Sequence, residues 1–302
     1  MNKRFVNYAW GVVGYTILVI LWGTVVRATG SGAGCGNHWP RCNGEIIPTP
    51  ESIETMIEFA HRLTSGLAGV LVLALAAWAW RAYPAGAVRR WAGLSLFFII
   101  VEGWVGMLLV RLELVQDNAS TLRAVVIALH LINTFLLLGS LSVTAWLAGR
   151  GGWRGWRAET GLRGMVVFGL VAAMGLSAAG AVTALGDTLF PAESLAAGLQ
   201  QDLDPTAHFL IQLRVIHPAL ALMSAVYLFW LGGRITAANL GAGVERWVTR
   251  LYAVMGLQIL VGFVNVALLA PVWMQVIHLL LADLFWLALL LLAAETLSEP
   301  TA

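Results

Sequence analysis

Residues 57–80 read IEFAHRLTSGLAGVLVLALAAWAW, an apolar run that begins with an acid, a histidine and an arginine. About 20 apolar residues in helical form cross the hydrocarbon core of a bilayer, so this run predicts a membrane-spanning helix. Ionisable side chains are expensive inside a membrane and usually mark a functional site there. This stretch therefore indicates that the chain lies in a membrane and that a functional site lies near the start of this span.

The composition of the whole chain agrees with a membrane location. Of its 302 residues, 59% are hydrophobic and only 11% are charged, whereas about 25% of the residues of a soluble domain carry a charge. The net charge of +2 gives no support for nucleic-acid binding. We therefore expect this protein to lie in a lipid bilayer and to bind no nucleic acid.

The distribution of apolar residues predicts an all-α integral membrane protein with eight transmembrane helices. The first run is followed by Arg27-Ala-Thr-Gly and not by a small-residue cleavage site, so we expect it to be a retained span. Because eight is even, both termini lie on one side of the membrane. The predicted spans are residues 9–27, 57–80, 91–110, 122–148, 163–184, 209–231, 247–269 and 272–294.

Basic residues are unevenly distributed between the two sides of these spans. Cytoplasmic loops of membrane proteins are enriched in Lys and Arg. The side with more basic residues, which includes both termini, is therefore predicted to be cytoplasmic. Loops 28–56 and 185–208 would then lie on the outer face of a plasma (inner) membrane. The twelve on the predicted cytoplasmic side are Lys3, Arg4, Arg81, Arg89, Arg90, Arg150, Arg154, Arg157, Arg163, Arg234, Arg246 and Arg250. The other six are Arg27, Arg41, Arg62, Arg111, Arg123 and Arg214.

An internal repeat divides the chain into two halves. The sequence predicts tandem, same-orientation four-helix bundles at 1–150 and 163–302, joined by an arginine-rich cytoplasmic linker at 151–162. Four short segments of the first half align with four of the second, at offsets of 148 to 157 residues. These are Gly23–Val25 with Gly180–Val182, Glu58–His61 with Arg214–His217, Glu102–Gly106 with Gln258–Gly262, and His130–Leu131 with His278–Leu279.

Both cysteines lie in the first outer loop, GSGAGCGNHWPRCNGE at residues 30–45. Cys35 and Cys42, on an oxidising face and with Gly and Pro between them, are well placed for a structural disulfide. A redox-active dithiol that exchanges electrons with a partner is the alternative. His38 in the same loop is expected to be a solvated side chain.

Four of the six histidines fall inside predicted spans at repeat-equivalent positions: His61, His130, His217 and His278. One such histidine would most simply be a hydrogen-bonded core residue, but two matched pairs at similar depth favour metal ligation. Zinc would need further ligands that do not recur around the pairs. A haem needs only two axial imidazoles, and a four-helix bundle can supply them.

The two halves differ in charge three residues before the histidine of their second span. Glu58 occupies this position in the first half and Arg214 in the second. An arginine suits the propionate of a permanent haem, whereas a carboxylate can move protons or stabilise positive charge during a reaction. We therefore place the chemistry in the first half, with pairing to Arg62 as the alternative role of Glu58. Glu102 and Asp283 could each be a proton relay or an interior hydrogen-bonded acid.

The motifs resemble those of the haem A synthase family in content and order. The resemblance covers nearly the whole chain, and its most specific part is the cysteine loop followed by the E-x-x-H-R of residues 58–62. The matching stretches are RATGSGAGCGNHWPRCNG at 27–44, IEFAHRLTSG at 57–66, ALHL at 128–131, RVIHP at 214–218 and VIHLL at 276–280. The resemblance implies an eight-helix enzyme that oxidises a methyl group of haem O to the formyl group of haem A.

Roles for individual residues follow from this resemblance. His61 and His130 would bind the iron of the substrate haem, Glu58 would be the catalytic acid, and His217 and His278 would bind a haem b cofactor. Arg62 and Arg214 are candidates for contacts with haem propionates. A haem O synthase and terminal oxidase assembly factors are the implied partners. Some family members have a second cysteine pair in the outer loop of the second half, but residues 185–208 contain none.

Two other functions fit part of the pattern. A di-haem b electron-transfer protein of the quinol-linked type would explain four histidines but not the difference between Glu58 and Arg214. A proton-coupled transporter built from parallel repeats would use intramembrane His and Glu as a relay. The haems recovered from purified protein distinguish the three functions.

Overall fold

The computed structural model describes residues 2–49, 52–151, 155, 157 and 161–299. Over these residues it contains helices and connecting loops, with no β-strand. The helices are α1 Lys3–Ala28, α2 Ile53–Ala82, α3 Ala87–Arg111, α4 Thr121–Gly149, α5 Arg163–Leu189, α6 Leu195–Leu203, α7 Phe209–Gln212, α8 Ile216–Ala237, α9 Ala242–Ala267 and α10 Val272–Leu297.

Eight helical segments of this described part are long and apolar enough to cross a membrane. They coincide with the eight predicted spans and extend most of them by a few residues, with α7 and α8 together forming the span Phe209–Ala237. The all-α transmembrane fold class is therefore confirmed. The predicted linker at 151–162 is largely outside the described residues, and Arg154 is among those left out.

Serine side chains cap two of the helices that carry candidate site residues. The hydroxyl of Ser52 accepts a hydrogen bond from the backbone N–H of Thr55 at the start of α2, at 3.2 Å. Ser120 caps α4 in the same way, accepting from the backbone N–H of Arg123 at 3.2 Å. Such caps satisfy one of the free N–H groups of a first turn and fix where the helix begins.

The sequence predicted a continuous sixth span. In the structure, this span is interrupted close to His217. After α7, residues Leu213–Val215 form a 3-10 turn, and α8 begins only at Ile216. Pro218 explains the break, because proline lacks the N–H that would bond to residue 214 and its ring crowds that carbonyl. Placed in the first turn of α8, Pro218 is tolerated.

The first and fourth spans of each half meet at the centre of the protein. Helix α4 packs against α1, α3, α5 and α10, and α10 also packs against α1, α5 and α9. The indole N–H of Trp286 on α10 donates to the carbonyl of Phe135 on α4 at 2.8 Å, and the two rings stack with centroids 5.3 Å apart. Both side chains are buried, so this contact joins the halves through their most apolar helices.

Polar contacts near the two ends of α10 also join the two halves. Glu295 on α10 accepts hydrogen bonds from the indole N–H of Trp146 on α4 and from Arg150, the residue just after α4. At the other end, Arg27 on α1 donates to Thr188 on α5 and to Gln275 on α10, each at 2.6 Å. These contacts join the two halves, whereas the predicted tandem, same-orientation arrangement remains a prediction.

Replacing Trp286 with Phe removes the hydrogen bond between the halves and keeps an aromatic ring. We expect the free energy of unfolding in detergent to fall by about 1 kcal/mol, the usual net worth of such a bond. Trp286→Ala should cost about 3–5 kcal/mol, because it also leaves a cavity. Trp104→Phe is the matched control, since Trp104 on α3 is 63% exposed. Equal unfolding midpoints for Trp286→Phe and Trp104→Phe would contradict this role.

Candidate functional site

The histidines of the second span of each half lie against a glycine of the first span. A Cβ built at Gly23 on α1 would stand 3.2 Å from Cε1 of His61, and one at Gly180 on α5 would stand 2.9 Å from Cε1 of His217. Any larger residue would push either ring away. The repeat aligns Gly23 with Gly180, and the structure shows that both glycines make the same kind of contact.

The four candidate histidines form two pairs in space. The rings of His217 on α8 and His278 on α10 have centroids 6.4 Å apart and planes inclined at 87°. Two imidazoles bound to one metal from opposite sides, each at about 2 Å through nitrogen, would have centroids roughly 6 to 6.5 Å apart. His61 and His130 are close enough to interact electrostatically.

Each of these rings has a nitrogen that no protein group bonds, and in His278 this is Nδ1, because its Nε2 lies 3.3 Å from Nε2 of Gln258. Nδ1 of His217 lies 3.2 Å from the carbonyl oxygen of Leu176, which leaves Nε2 free as a ligand. Nδ1 of His61, His130 and His278 is buried and has no hydrogen-bond partner among the described residues. Imidazoles that the protein itself leaves incompletely bonded are suited to bind a group from outside the chain.

Small residues give this region room for a flat macrocycle. A Cβ built at Gly66 or Gly69 on α2, or at Gly103 or Gly106 on α3, would meet no atom within 4 Å. Small residues also serve close helix packing in membranes, but these four positions are not in close contact with a neighbour. Gly66 and Gly103 are exposed, so the open space at these glycines does not by itself define a cavity between helices.

Glu58 on α2 connects the first histidine pair to the cysteine loop. Its side chain is buried, with Oε1 accepting from Arg62 at 2.5 Å and Oε2 accepting the backbone N–H of Cys35 at 2.7 Å. The ion pair with Arg62 is the alternative role that the sequence offered for this acid. The contact with Cys35 was not predicted, and it places the loop directly over the start of α2.

Arg62 and Gly34 hold the same loop in place. One terminal nitrogen of Arg62 donates to the carbonyl oxygens of His38 at 2.6 Å and Arg41 at 2.8 Å. The backbone of Gly34 packs directly on the backbone of residues 54–55, where any side chain would overlap. Cys35 and Cys42 lie within this loop as a pair, with Cα atoms 4.4 Å apart.

Arg214 is the counterpart of Glu58 and is also buried among protein groups. Its guanidinium lies 2.8 Å from Asp202 and 3.5 Å from Asp187, and it donates to Gln201 at 3.2 Å and to the carbonyl of Phe190 at 3.2 Å. The contact with Asp202 has the distance of an ion pair without hydrogen-bond geometry. A propionate that binds Arg214 would join a site that already contains two acids.

These partners of Arg214 were not predicted from the sequence. Asp187 lies near the end of α5, and Gln201 and Asp202 belong to the short helix α6, which was not predicted either. A signal was available, because a charged group in a span usually pairs with an opposite charge at the same depth. Asp187 and Asp202 lie within the predicted outer loop 185–208, together with Glu193 and Asp204, so acids were available there although the sequence did not specify which would pair.

The remaining singled-out residues have separate environments. His208 caps α7 by accepting from the backbone N–H of Leu210 at 3.3 Å, and its ring packs on Phe190. His38 is exposed in the cysteine loop. Asp283 on α10 is fully buried, and neither carboxyl oxygen has a hydrogen-bond partner among the described residues.

Comparison with known proteins places the chain in a family. Residues 6–290 match the family model described as cytochrome oxidase assembly protein, COX15-CtaA. The chain belongs to this family. The match covers nearly the whole chain, so the family resemblance predicted from the motifs is confirmed.

Two kinds of relative are similar to this chain. A Thermus thermophilus protein named protoheme IX farnesyltransferase is 49% identical over 299 residues, which are 98% of this chain and 49% of that protein. The chain thus spans about half the length of this relative. Proteins named heme A synthase are 46% identical over 91 residues in Halalkalibacterium halodurans and 48% identical over 81 residues in Alkalihalophilus pseudofirmus. These stretches are 30% and 27% of this chain, and the same shares of those two proteins.

Proposed function

We propose that this chain is a haem A synthase, a membrane oxidoreductase that converts a methyl group of haem O to the formyl group of haem A. The observation that carries the proposal is the arrangement of two histidine pairs at repeat-equivalent positions, with Glu58 three residues before the second-span histidine in the first half and Arg214 at the aligned position in the second. Family membership and the relatives named heme A synthase support the same reaction.

His61 and His130 are the proposed ligands of the iron of haem O. Their helices, α2 and α4, belong to the half that carries Glu58, so a haem bound between them would lie near that acid. Oxidation of a methyl carbon builds up positive charge, and a carboxylate nearby stabilises such charge. The hydrogen bonds from Arg62 and Cys35 hold Glu58 in a fixed position for this role.

His217 and His278 are the proposed axial ligands of a resident haem b. When bound, haem b would supply a redox centre able to accept electrons. The chain contributes the two imidazoles, the hydrogen bond from His217 to Leu176 that fixes one ring, and Gly180, which lets that ring lie close to α5. Arg62 and Arg214 are the proposed partners of haem propionates, which would share these arginines with the protein groups described above.

The substrate itself suggests how it reaches the protein. Haem O carries a long isoprenoid tail, so we expect it to enter sideways from the bilayer and not from water. The Thermus relative combines a region similar to this chain with a further segment of about equal length, under the name of a farnesyltransferase. This supports a farnesyl-transferring haem O synthase as the supplier of the substrate. Terminal oxidase assembly factors are the proposed recipients of the product.

The tandem-bundle organisation and the membrane orientation are part of the proposal. We place the two halves, 1–150 and 163–302, in one orientation in a plasma (inner) membrane, with cytoplasmic termini and linker. The cysteine loop would then face outward, where a Cys35–Cys42 disulfide is stable. The contacts of Glu58 and Arg62 with this loop favour a structural role for the disulfide, which would hold a cover over the first histidine pair.

Co-expression with a source of haem O, followed by chromatography of the extracted haems, tests the reaction. We expect haem A from the wild type, haem O or a partly oxidised product from Glu58→Gln, and loss of haem b from His217→Leu. Glu54→Gln is the matched control, because Glu54 lies one turn earlier on α2 and is exposed. It should form haem A as the wild type does.

Each contrary outcome of this experiment has a distinct meaning. Unchanged haem A formation by Glu58→Gln would remove the catalytic role of Glu58. Recovery of haem b alone from the wild type would indicate a di-haem electron-transfer protein. Purified protein without haem absorption would favour a transporter.

Labelling with a membrane-impermeant thiol reagent tests the orientation. Glu193→Cys lies in the proposed outer loop and should react in intact cells, whereas Ala238→Cys, in the loop between α8 and α9, should react only after permeabilisation. Both positions are exposed. The reverse pattern of labelling would overturn the proposed topology.

A further inference from the structure

The carboxylate of Glu102 on α3 is held against α4 beside His130. Its Oε2 accepts from the side-chain amide of Asn133 at 2.5 Å, and its Oε1 accepts from the hydroxyl of Thr134 at 2.5 Å. The amide of Asn133 also donates to the carbonyl of Phe98 on α3, at 3.0 Å. The acid is thus fixed by two side chains that follow His130 within about one helical turn.

The imidazole of His130 faces this fixed acid. Its Nδ1 lies 3.4 Å from Oε1 of Glu102. The pair has an ion-pair distance without hydrogen-bond geometry, and Nδ1 has no hydrogen-bond partner in the described part of the chain. The carboxyl group of Glu102 therefore lies directly beside Nδ1 of His130. The hydroxyl of Thr134 is also 2.9 Å from the carbonyl of His130, but its contact with Glu102 is the shorter one.

The second half has a different arrangement at each equivalent position. Gln258 replaces Glu102, and its Nε2 lies 3.3 Å from Nε2 of His278, the opposite ring nitrogen. The positions of Asn133 and Thr134 correspond to Leu281 and Ala282, which cannot hold a carboxylate. The fixed anion behind the fourth-span histidine is therefore a property of the first half.

The positions of the two fourth-span histidine rings, His278 and His130, also differ between the halves. His278 lies against Gly262, where an added Cβ would be 3.1 Å from its Cε1. The aligned residue in the first half is Gly106, and a Cβ built there would meet no atom within 4 Å. The ring of His130 thus does not rest on its glycine and lies beside Glu102 instead.

We propose that Glu102 is a positioning residue for His130. With Asn133 and Thr134 it would orient the ring so that Nε2 meets the iron of the substrate haem, and it would increase the donor strength of that nitrogen. A carboxylate behind a ligating histidine is a general device for both effects. The inference rests on the proposed function, because it takes His130 to be an axial ligand of the substrate haem.

The physical consequence is a difference in reduction potential between the two haems. A stronger donor favours the ferric state, so the haem at His61 and His130 should have the lower potential. His217 and His278 would hold a redox centre of higher potential, which would supply the electron acceptor for this oxidation. The neutral Gln258 in the second half is consistent with a higher potential there.

Two substitutions of Glu102 separate its charge from its hydrogen bonding. Glu102→Gln keeps an acceptor, so we expect haem to be retained in the first half and its midpoint potential to shift upward. Glu102→Leu removes both properties and should weaken haem retention there about tenfold or more. Glu113→Gln is the matched control, an exposed acid just beyond the end of α3. The full chain loaded with haem O would be measured by anaerobic spectroelectrochemistry and by haem content after gel filtration.

The haem of the unaltered half provides an internal check of folding in every variant. Retained potentials and haem content in both Glu102 variants, equal to those of Glu113→Gln, would overturn the proposal. Absence of any haem from the wild type would instead contradict the proposed function.

Discussion

The hydrocarbon core of a bilayer offers no hydrogen-bond partner, and this constraint governs where polar side chains can lie in this protein. An imidazole or carboxylate inside a span must find its partner on a neighbouring helix or in a bound group. Glu58, Glu102 and Arg214 have such partners within the chain. In the described part of the chain, Nδ1 of His61, His130 and His278 has no hydrogen-bond partner, and that of His130 lies beside Glu102.

The same constraint accounts for the difference between the two halves. The repeat provides the same frame twice, with a histidine over Gly23 in one half and over Gly180 in the other. Around that frame Glu58 of the first half is replaced by Arg214 in the second, and Glu102 by Gln258, although Arg214 is itself paired with Asp187 and Asp202. In the proposed function the acids of the first half stabilise positive charge during the reaction, and Arg214 is shared between these two acids and a haem propionate.

Much of this fold was predictable from the sequence because the bilayer imposes a simple pattern. Apolar runs of sufficient length gave all eight spans, and the repeat indicated that His61 and His217 would have equivalent surroundings. The interruption before His217 was not predicted, although Pro218 was the residue that caused it. Helix α6 was missed because a nine-residue amphipathic segment has no membrane-length signal.

The side-chain partnerships were the least predictable part of the site. The link between Glu58 and the N–H of Cys35 depends on how a loop folds back over α2, and neither spacing nor composition specifies that path. The contact of Glu102 with Asn133 and Thr134 depends on the rotation of α3 against α4. Sequence alone left Glu102 as either a relay or a hydrogen-bonded acid, since the residues that hold it are 31 and 32 positions away.

Near-infrared magnetic circular dichroism of the purified, haem-loaded protein tests the central claim most directly, because it identifies the axial ligands of a low-spin haem. The account predicts bis-imidazole ligation in the wild type, with that signal lost from one haem when His278 is replaced by Ala. The other haem should keep its signal until His130 is also replaced. Bis-imidazole ligation that persists after both replacements would contradict the pairing of these histidines around iron.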